Sequence, residues 1–388
     1  MPEPSAAAVR FHRSGLWLWV FAQAWSIAVP LAVVASGLAT RIRDRAERWS
    51  PWRPGSVAIA AVLFLAVLFL ANLPLRFYAG YVRLHEYGLS EQPFDRWLGH
   101  AVMRLGILMA TTAVILPGPY YLIRRAPRRW CLYVGLISVP IAAFFAWVMP
   151  IVIDPLFHDF RPLDHPELAA RIDALARRAN IVGATIEQVE MSRDTTTVNA
   201  YVTGLLGSKR IVLWDTLLDR FEDDQILAIV GHEMGHYVLN HVALGVCLSA
   251  FATIAGLFVL DRAARALLRR VGPRLGIGGL DDVAALPLAY AIGLAILLAS
   301  DPISFAVSRS MEHEADRFAL EITRDNHAAA SAFLNLQRHN LSVPYPDPFT
   351  RIWRSSHPAL GDRIEFCNDY HPWSDGRPLK YGGLFRDP

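Results

Sequence analysis

Residues 231–260 read GHEMGHYVLN HVALGVCLSA FATIAGLFVL. The second part, His241 to Leu260, carries no Asp, Glu, Lys or Arg and is as long as the roughly 20 residues that cross a bilayer core as a helix. The first part places His232 and His236 four residues apart, which puts two imidazoles on one helical face. A helix beginning near Asp224 is therefore expected to carry this histidine pair and run on into a membrane span. A polar pair of this kind at the mouth of an apolar helix sets the fold class and points to the chemistry.

Working outward, five more apolar runs have spanning length: Leu16 to Ala39, Ser56 to Leu75, Ala101 to Ile123, Cys131 to Ile153 and Ala284 to Val307. The run at Leu16 is too long for a signal-peptide core and reads as a retained span. The chain of 388 residues is 53% hydrophobic with a mean hydropathy of +0.28, and its 19% charged residues fall below the roughly 25% of soluble domains. The expected fold is mainly α, a polytopic membrane protein of about six spans with a small α/β unit. Four spans occupy 1–153, an extramembrane α/β segment 154–223, helices that carry the histidine pair and are continuous with two spans 224–322, and a C-terminal extramembrane segment 323–388. Within 154–223, His165 to Asn180 reads as an amphipathic helix. Ile186 to Met191, Thr197 to Val202 and Arg210 to Trp214 read as strands.

The net charge of +3, with no basic run interleaved with aromatics, excludes a nucleic-acid partner and leaves the lipid bilayer as the implied surroundings. Cys131, Cys247 and Cys367 stand far apart in no metal spacing, so no disulfide framework is expected. Only Lys209 and Lys380 are lysines among 38 basic residues, an arginine bias that suggests a GC-rich bacterial genome and a bacterial inner membrane.

The pattern His232-Glu233-x-x-His236 supplies two ligands for one Zn2+ and a carboxylate, Glu233, placed to act as general base. Catalytic zinc usually takes three protein ligands. A third histidine further along the same helix is excluded, because Leu239 and Val242 occupy the required positions. The midpoint between His236 and Glu312 is Arg274, in the basic turn after Pro273, so an antiparallel hairpin of the last two spans brings them level. Glu312 is the expected third ligand, with His313 and Glu314 as substitutes on other faces. Asp316, four residues on, can accept the free ring N–H of a ligand histidine. His241, five residues after His236, points off the metal face of a continuous helix and reads as an interfacial residue.

The chain resembles the type I CAAX prenyl endopeptidase family of integral-membrane zinc proteases. The matching pieces are Asn199-Ala200-Tyr201-Val202-Thr203-Gly204, Arg210 to Leu218, Gly231 to His236, Ser308-Arg309 with Glu312 and Ala315-Asp316, and Ser356-His357-Pro358 with Arg363. Weaker similarity reaches through Asp154-Pro155-Leu156-Phe157 to Glu86-Tyr87-Gly88-Leu89. The family's eukaryotic members have seven spans, whereas six are expected here, the first being the one without a counterpart among the apolar runs. The resemblance implies zinc on His232, His236 and Glu312, Glu233 as base, and Asn199 on an edge strand that pairs with an extended substrate. It implies His357 and Arg363 near the scissile carbonyl or the substrate backbone, and a chamber enclosed by the spans. The expected partner is a peptide or protein substrate, lipidated or membrane-embedded.

Two rivals share these residues: a quality-control protease for damaged membrane proteins, and a non-catalytic zinc scaffold. The two indicators of orientation disagree. Arg41, Arg43, Arg45, Arg48 and Arg53, Arg124, Arg125, Arg128 and Arg129, and Arg262, Arg265, Arg269, Arg270 and Arg274 crowd the first, third and fifth connections. The positive-inside rule puts these in the cytoplasm and the zinc site outside, whereas the resemblance implies a zinc site facing the cytoplasm.

Overall fold

In the computed structural model, which describes residues 3–204 and 209–386, six helices are long and apolar enough to cross a membrane: Ala6–Ala35, Arg53–Glu86, Phe94–Arg125, Trp130–Leu156, His241–Leu275 and Val283–Thr323. Their regular parts are α1 (Ala6–Ala35), α3 (Arg53–Phe77) extended by α4 (Arg83–Glu86), α5 (Phe94–Ile115) with α6 (Pro117–Arg125), α7 (Trp130–Val148), α11 (His241–Leu275) and α12 (Leu286–Thr323). A shorter, strongly amphipathic α2 (Leu38–Trp49) lies between the first two. Most outward side chains of α5 and α7 are apolar and uncovered, Val114 at 81% and Phe144 at 54% exposure among them, as lipid-facing surfaces require.

One end of the bundle is tied by its arginine connections. Arg43 pairs with Asp282 at 2.8 Å and donates to the Gly276 carbonyl, and the buried Trp130 indole donates to Asp261 at 2.8 Å. α11 runs through Pro273 and stops at Gly276, whose φ of +67° suits glycine in a helix-ending turn. Among the spans, a cavity of about 570 Å³ is lined by Ser26, Asn72, Arg76, Trp97, Arg104 and Tyr290.

The other end carries the α/β unit, α8 (Pro166–Arg178) and a four-stranded sheet in the order β1-β2-β4-β3. β2 (Thr185–Val189) runs parallel to the central β4 (Arg210–Trp214), and β3 (Ala200–Thr203) pairs antiparallel with β4 on its other side. β1 (Phe160–Pro162), absent from the sequence reading, adds the far edge. Ile211, Val212 and Leu213 of β4 are all buried, as a strand covered on both faces demands. α8 starts with Pro166 at its first turn and buries Leu168, Ile172 and Ala176 against the sheet. β3 is shorter than expected because Thr195, Thr196 and Thr197 are engaged by Gly88, Leu89 and Thr216.

After the short α9 (Asp215–Leu218), α10 (Asp223–Val238) opens with a reciprocal cap between Glu222 and Gln225. It does not continue into the fifth span as expected. Leu239 ends it and Asn240 adopts a left-handed conformation, φ +56°, which asparagine tolerates better than most residues. The helix of the histidine pair and α11 are therefore separate, whereas α12 is one helix from Leu286 to Thr323. Gly235 allows α10 to lie directly on α12, since a Cβ there would sit 3.1 Å from the Ala315 Cα. The C-terminal segment closes over this pair with α13 (Asn326–His339), α14 (Pro348–Trp353) and α15 (Leu360–Asp369).

Candidate metal centre and active site

The close contact of α10 and α12 brings three side chains to one point. His232 Nε2 lies 3.1 Å from His236 Nε2 and 3.2 Å from Glu312 Oε2, and His236 Nε2 lies 3.4 Å from Glu312 Oε1. A tetrahedral ion with bonds of about 2.0–2.1 Å separates its ligand atoms by about 3.3–3.4 Å. His232 Nδ1 donates to Asp316 Oδ1 at 2.8 Å, so Nε2 presents its lone pair to the centre. Glu312 Oε2 is buried and accepts no hydrogen bond. Lone pairs facing one another at this spacing repel, and a divalent cation relieves that repulsion. The donor set of two imidazoles and a carboxylate fits zinc. Among the described residues this is the one His/Cys/Asp/Glu group with metal-binding spacing; His313 and Glu314 instead meet Arg317 at 3.0 and 2.6 Å.

Behind this centre, the Arg363 guanidinium holds both oxygens of Asp316, at 2.8 Å through Nε and 2.5 Å through Nη2, and lies over the Phe333 ring. Asp316 and Arg363 are 3% and 7% exposed. The sequence reading set Arg363 against the scissile carbonyl or the substrate backbone. Its guanidinium pairs with Asp316 and lies 3.3 Å from His232 Nδ1 and 3.8 Å from Glu312 Oε2, and the residue also lines the cavity in front.

The front is a cavity of about 580 Å³ lined by Asn199, His232, Glu233, His357 and Arg363. Burial in its wall pushes the Glu233 carboxyl above the usual carboxylate range, against the opposing pull of His232 and His236. His357 is largely open to the cavity, with Nε2 3.3 Å from Glu312 Oε1 and Nδ1 2.9 Å from Ser356 Oγ. Asn199 is exposed just ahead of β3, and its carbonyl accepts from the Trp214 N–H. β3 pairs with β4 on one side only, which leaves the other edge available for an added strand.

Two contributors escaped sequence reasoning. His241 lies outside the metal-spaced group, and after the break at Asn240 its Nδ1 is 3.0 Å from His236 Nδ1, the ring nitrogen that does not face Glu312. Asn340 accepts from the Val198 N–H at 3.1 Å and fixes the segment leading into β3. A helix-breaking Asn between two histidines was the available signal for His241; nothing in the sequence marked Asn340.

A family model described as peptidase family M48 matches residues 162–370, and one described as CAAX prenyl protease N-terminal, five membrane helices, matches residues 5–159. The second stretch holds four of the six long apolar helices and the amphipathic α2. A Bacillus subtilis (strain 168) protein described as uncharacterized metalloprotease YhfN is 36% identical over 370 residues, covering 94% of this chain and 85% of that protein. CAAX prenyl protease 1 of Saccharomyces cerevisiae is 28% identical over 310 residues, 76% of this chain and 68% of that protein. The crystal structure of S. mikatae Ste24p shares the fold with a TM-score of 0.82 at 24% identity, covering 94% of this chain and 88% of that one. The chain belongs to peptidase family M48 and is a multi-pass membrane metalloprotease related to the CAAX prenyl proteases.

Proposed function

We propose that this chain is a zinc endopeptidase of a bacterial cell membrane, with His232, His236 and Glu312 as metal ligands and Glu233 as general base. The observation that carries the reading is the convergence of the three ligand atoms within 4.8 Å of one another, with His232 and the adjacent Glu233 in the wall of a cavity bordered by a free strand edge. When bound, zinc supplies a Lewis acid that polarises the scissile carbonyl and makes water a nucleophile near neutral pH.

The chain's own residues do the rest. Glu233 takes a proton from the attacking water and delivers it to the leaving amine. Asp316, held by Arg363, fixes the tautomer of His232. His357 is placed to donate to the oxygen on which negative charge develops. An extended peptide adds to β3 beside Asn199 through backbone hydrogen bonds, with little regard to its sequence. The substrate is a membrane-proximal protein segment selected by access to the cavity.

Glu233→Gln tests the mechanism. The purified variant is expected to keep its metal content and to lose peptide cleavage by about 100-fold or more; full activity with Gln at this position would reject Glu233 as the base. In the same assay, prenylated and unprenylated versions of one peptide are expected to be cut alike. A strict requirement for the prenyl group would assign the substrate class named in the yeast relative's description.

A further inference from the structure

Where α1 meets the C-terminal segment, a second cavity of about 470 Å³ adjoins the catalytic one, with Asn340 and Ser342 in the wall of both. Two arginines from distant parts of the chain face it. Arg83, at the start of α4, is 7% exposed; it donates to the Phe11 carbonyl and stacks on the Phe11 ring at 3.7 Å. Its buried Nε has no acceptor. Arg354, half-buried just past α14, lies over the Trp19 ring at 5.9 Å. Gly15 is the floor between them: a Cβ there would meet Arg83 Nη2 at 2.9 Å and Arg354 Nη2 at 3.9 Å.

Neither guanidinium has an ion-pair partner among the described residues. Asp347, whose charge reaches Arg354, already accepts from Thr350 N and Oγ1 and sits against His12 at 3.3 Å. Several arginines at comparable burial are ion-paired, Arg363 with Asp316, Arg96 with Asp194 and Arg210 with Glu187, while half-buried Arg220 and Arg309 donate to backbone carbonyls. Two converging, partly desolvated cations with no counter-charge cost free energy that an anion recovers, and guanidinium forks match phosphate oxygens two at a time.

The rim identifies the anion's carrier. Trp19 meets Phe349 edge-on at 5.8 Å, Phe349 stacks with Trp353 at 6.2 Å, and Phe349 and Ile352 are 42% and 45% exposed. Aromatic side chains beside a basic pocket at the end of a span mark the depth of lipid headgroups. We propose that this pocket binds the phosphate of an acidic phospholipid, gripped by Arg83 and Arg354, with its acyl chains along Trp19 and Phe349. The proposal stands apart from the catalytic reading and from which leaflet the pocket faces.

The test uses the full chain in a neutral detergent and short-chain phosphatidylglycerol as the probe. Calorimetry is expected to show saturable binding that Arg354→Gln weakens about tenfold or more. Phe349→Ala is expected to weaken the lipid but not inorganic phosphate. Undiminished lipid binding by Arg354→Gln sinks the proposal, as does equally tight binding of short-chain phosphatidylcholine or of inorganic phosphate. A third outcome also overturns it: unchanged lipid binding with a raised KM only for peptides that end in a free carboxylate. That result would make the pocket a substrate subsite. Arg83→Gln is a second variant, and if it fails to fold the half-buried Arg354 still decides the matter.

Discussion

Asp316 shows how much one side chain does behind the metal-ligand set. It accepts the His232 Nδ1–H and at the same time neutralises the buried guanidinium of Arg363. Asp316→Asn keeps an acceptor for the imidazole but leaves Arg363 charged, buried and uncompensated. Breaking a buried pair from one side costs about 3–5 kcal/mol, and loss of a ligand's orienting carboxylate lowers metal affinity about 10–100-fold. Both effects are expected for Asp316→Asn, in thermal unfolding and in zinc titration. Native affinity in the variant would show that the carboxylate does not orient His232. The pairing of Asp316 with Glu312 was legible because a spacing of four fixes a shared helical face wherever the helix lies. Arg363 was known beforehand only through resemblance, and its contact with Asp316 depends on how α15 folds back over α12. The contact of His241 with His236 was not legible for a local reason: counting round a helix holds only while the helix is unbroken, and Asn240 breaks it.

At the scale of elements, the β3 edge is positioned by the loop that follows α4. Asp194 receives Arg96 Nε and Gln92 Nε2, both at 2.6 Å, and His158 at 3.3 Å, while its carbonyl takes the Ser90 hydroxyl at 2.7 Å. The 86–92 loop after α4 is thereby fastened to the 191–197 segment that leads into β3. Burial alone would raise the Asp194 carboxyl, but the close approach of His158, the hydrogen bonds from Arg96 and Gln92 and the Arg96 charge outweigh it and hold the group well below the usual carboxylate range. A carboxyl depressed on folding contributes stability above its unfolded pKa of about 3.9, and that stability is lost as pH falls through the lower folded value. The stability gap between the wild type and Asp194→Asn is therefore expected to be constant from neutral pH to about 5 and to shrink only below about 4. Denaturant melts across that range check it, and a gap that closes between about pH 6 and 7 would assign the effect to a histidine instead. If the β3 edge holds the substrate as proposed, Asp194→Asn should also raise KM more than it lowers kcat, because that edge does not touch the reacting atoms. β2 and β4 were readable as apolar runs bounded by polar turns. β1 was not, since Phe160-Arg161-Pro162 has no alternation of its own and exists only because β2 offers an edge.

At the scale of the whole molecule, the six apolar runs were plain in the sequence, because a bilayer core imposes a length and composition that few other structures need. What the runs leave open is which connections share a face of the membrane, and the packing supplies that. The arginine-rich connections at 41–53, 124–129 and 262–274 gather at one end, where Arg43 meets Asp282 and Trp130 meets Asp261. The N-terminus, the 86–92 loop, the sheet and the C-terminal segment gather at the other: His12 meets Asp347, Arg83 meets Phe11, and Asp194 binds the loop. Arginine 128 and Ser374 are both exposed and stand at these opposite ends. In a Cys247→Ser background, with Cys131 and Cys367 buried, Arg128→Cys and Ser374→Cys are expected to react with a membrane-impermeant maleimide from opposite sides. Labelling of both from one side would mean that one of the six helices does not cross. The same pair of measurements separates the two indicators of orientation. Labelling of residue 128 from the cytoplasm follows the arginine distribution and puts the catalytic cavity outside. Labelling of residue 374 from the cytoplasm gives the cavity cytoplasmic access and makes the arginine-rich end an exception to the positive-inside rule, its charges partly offset by Asp44, Asp261 and Asp282.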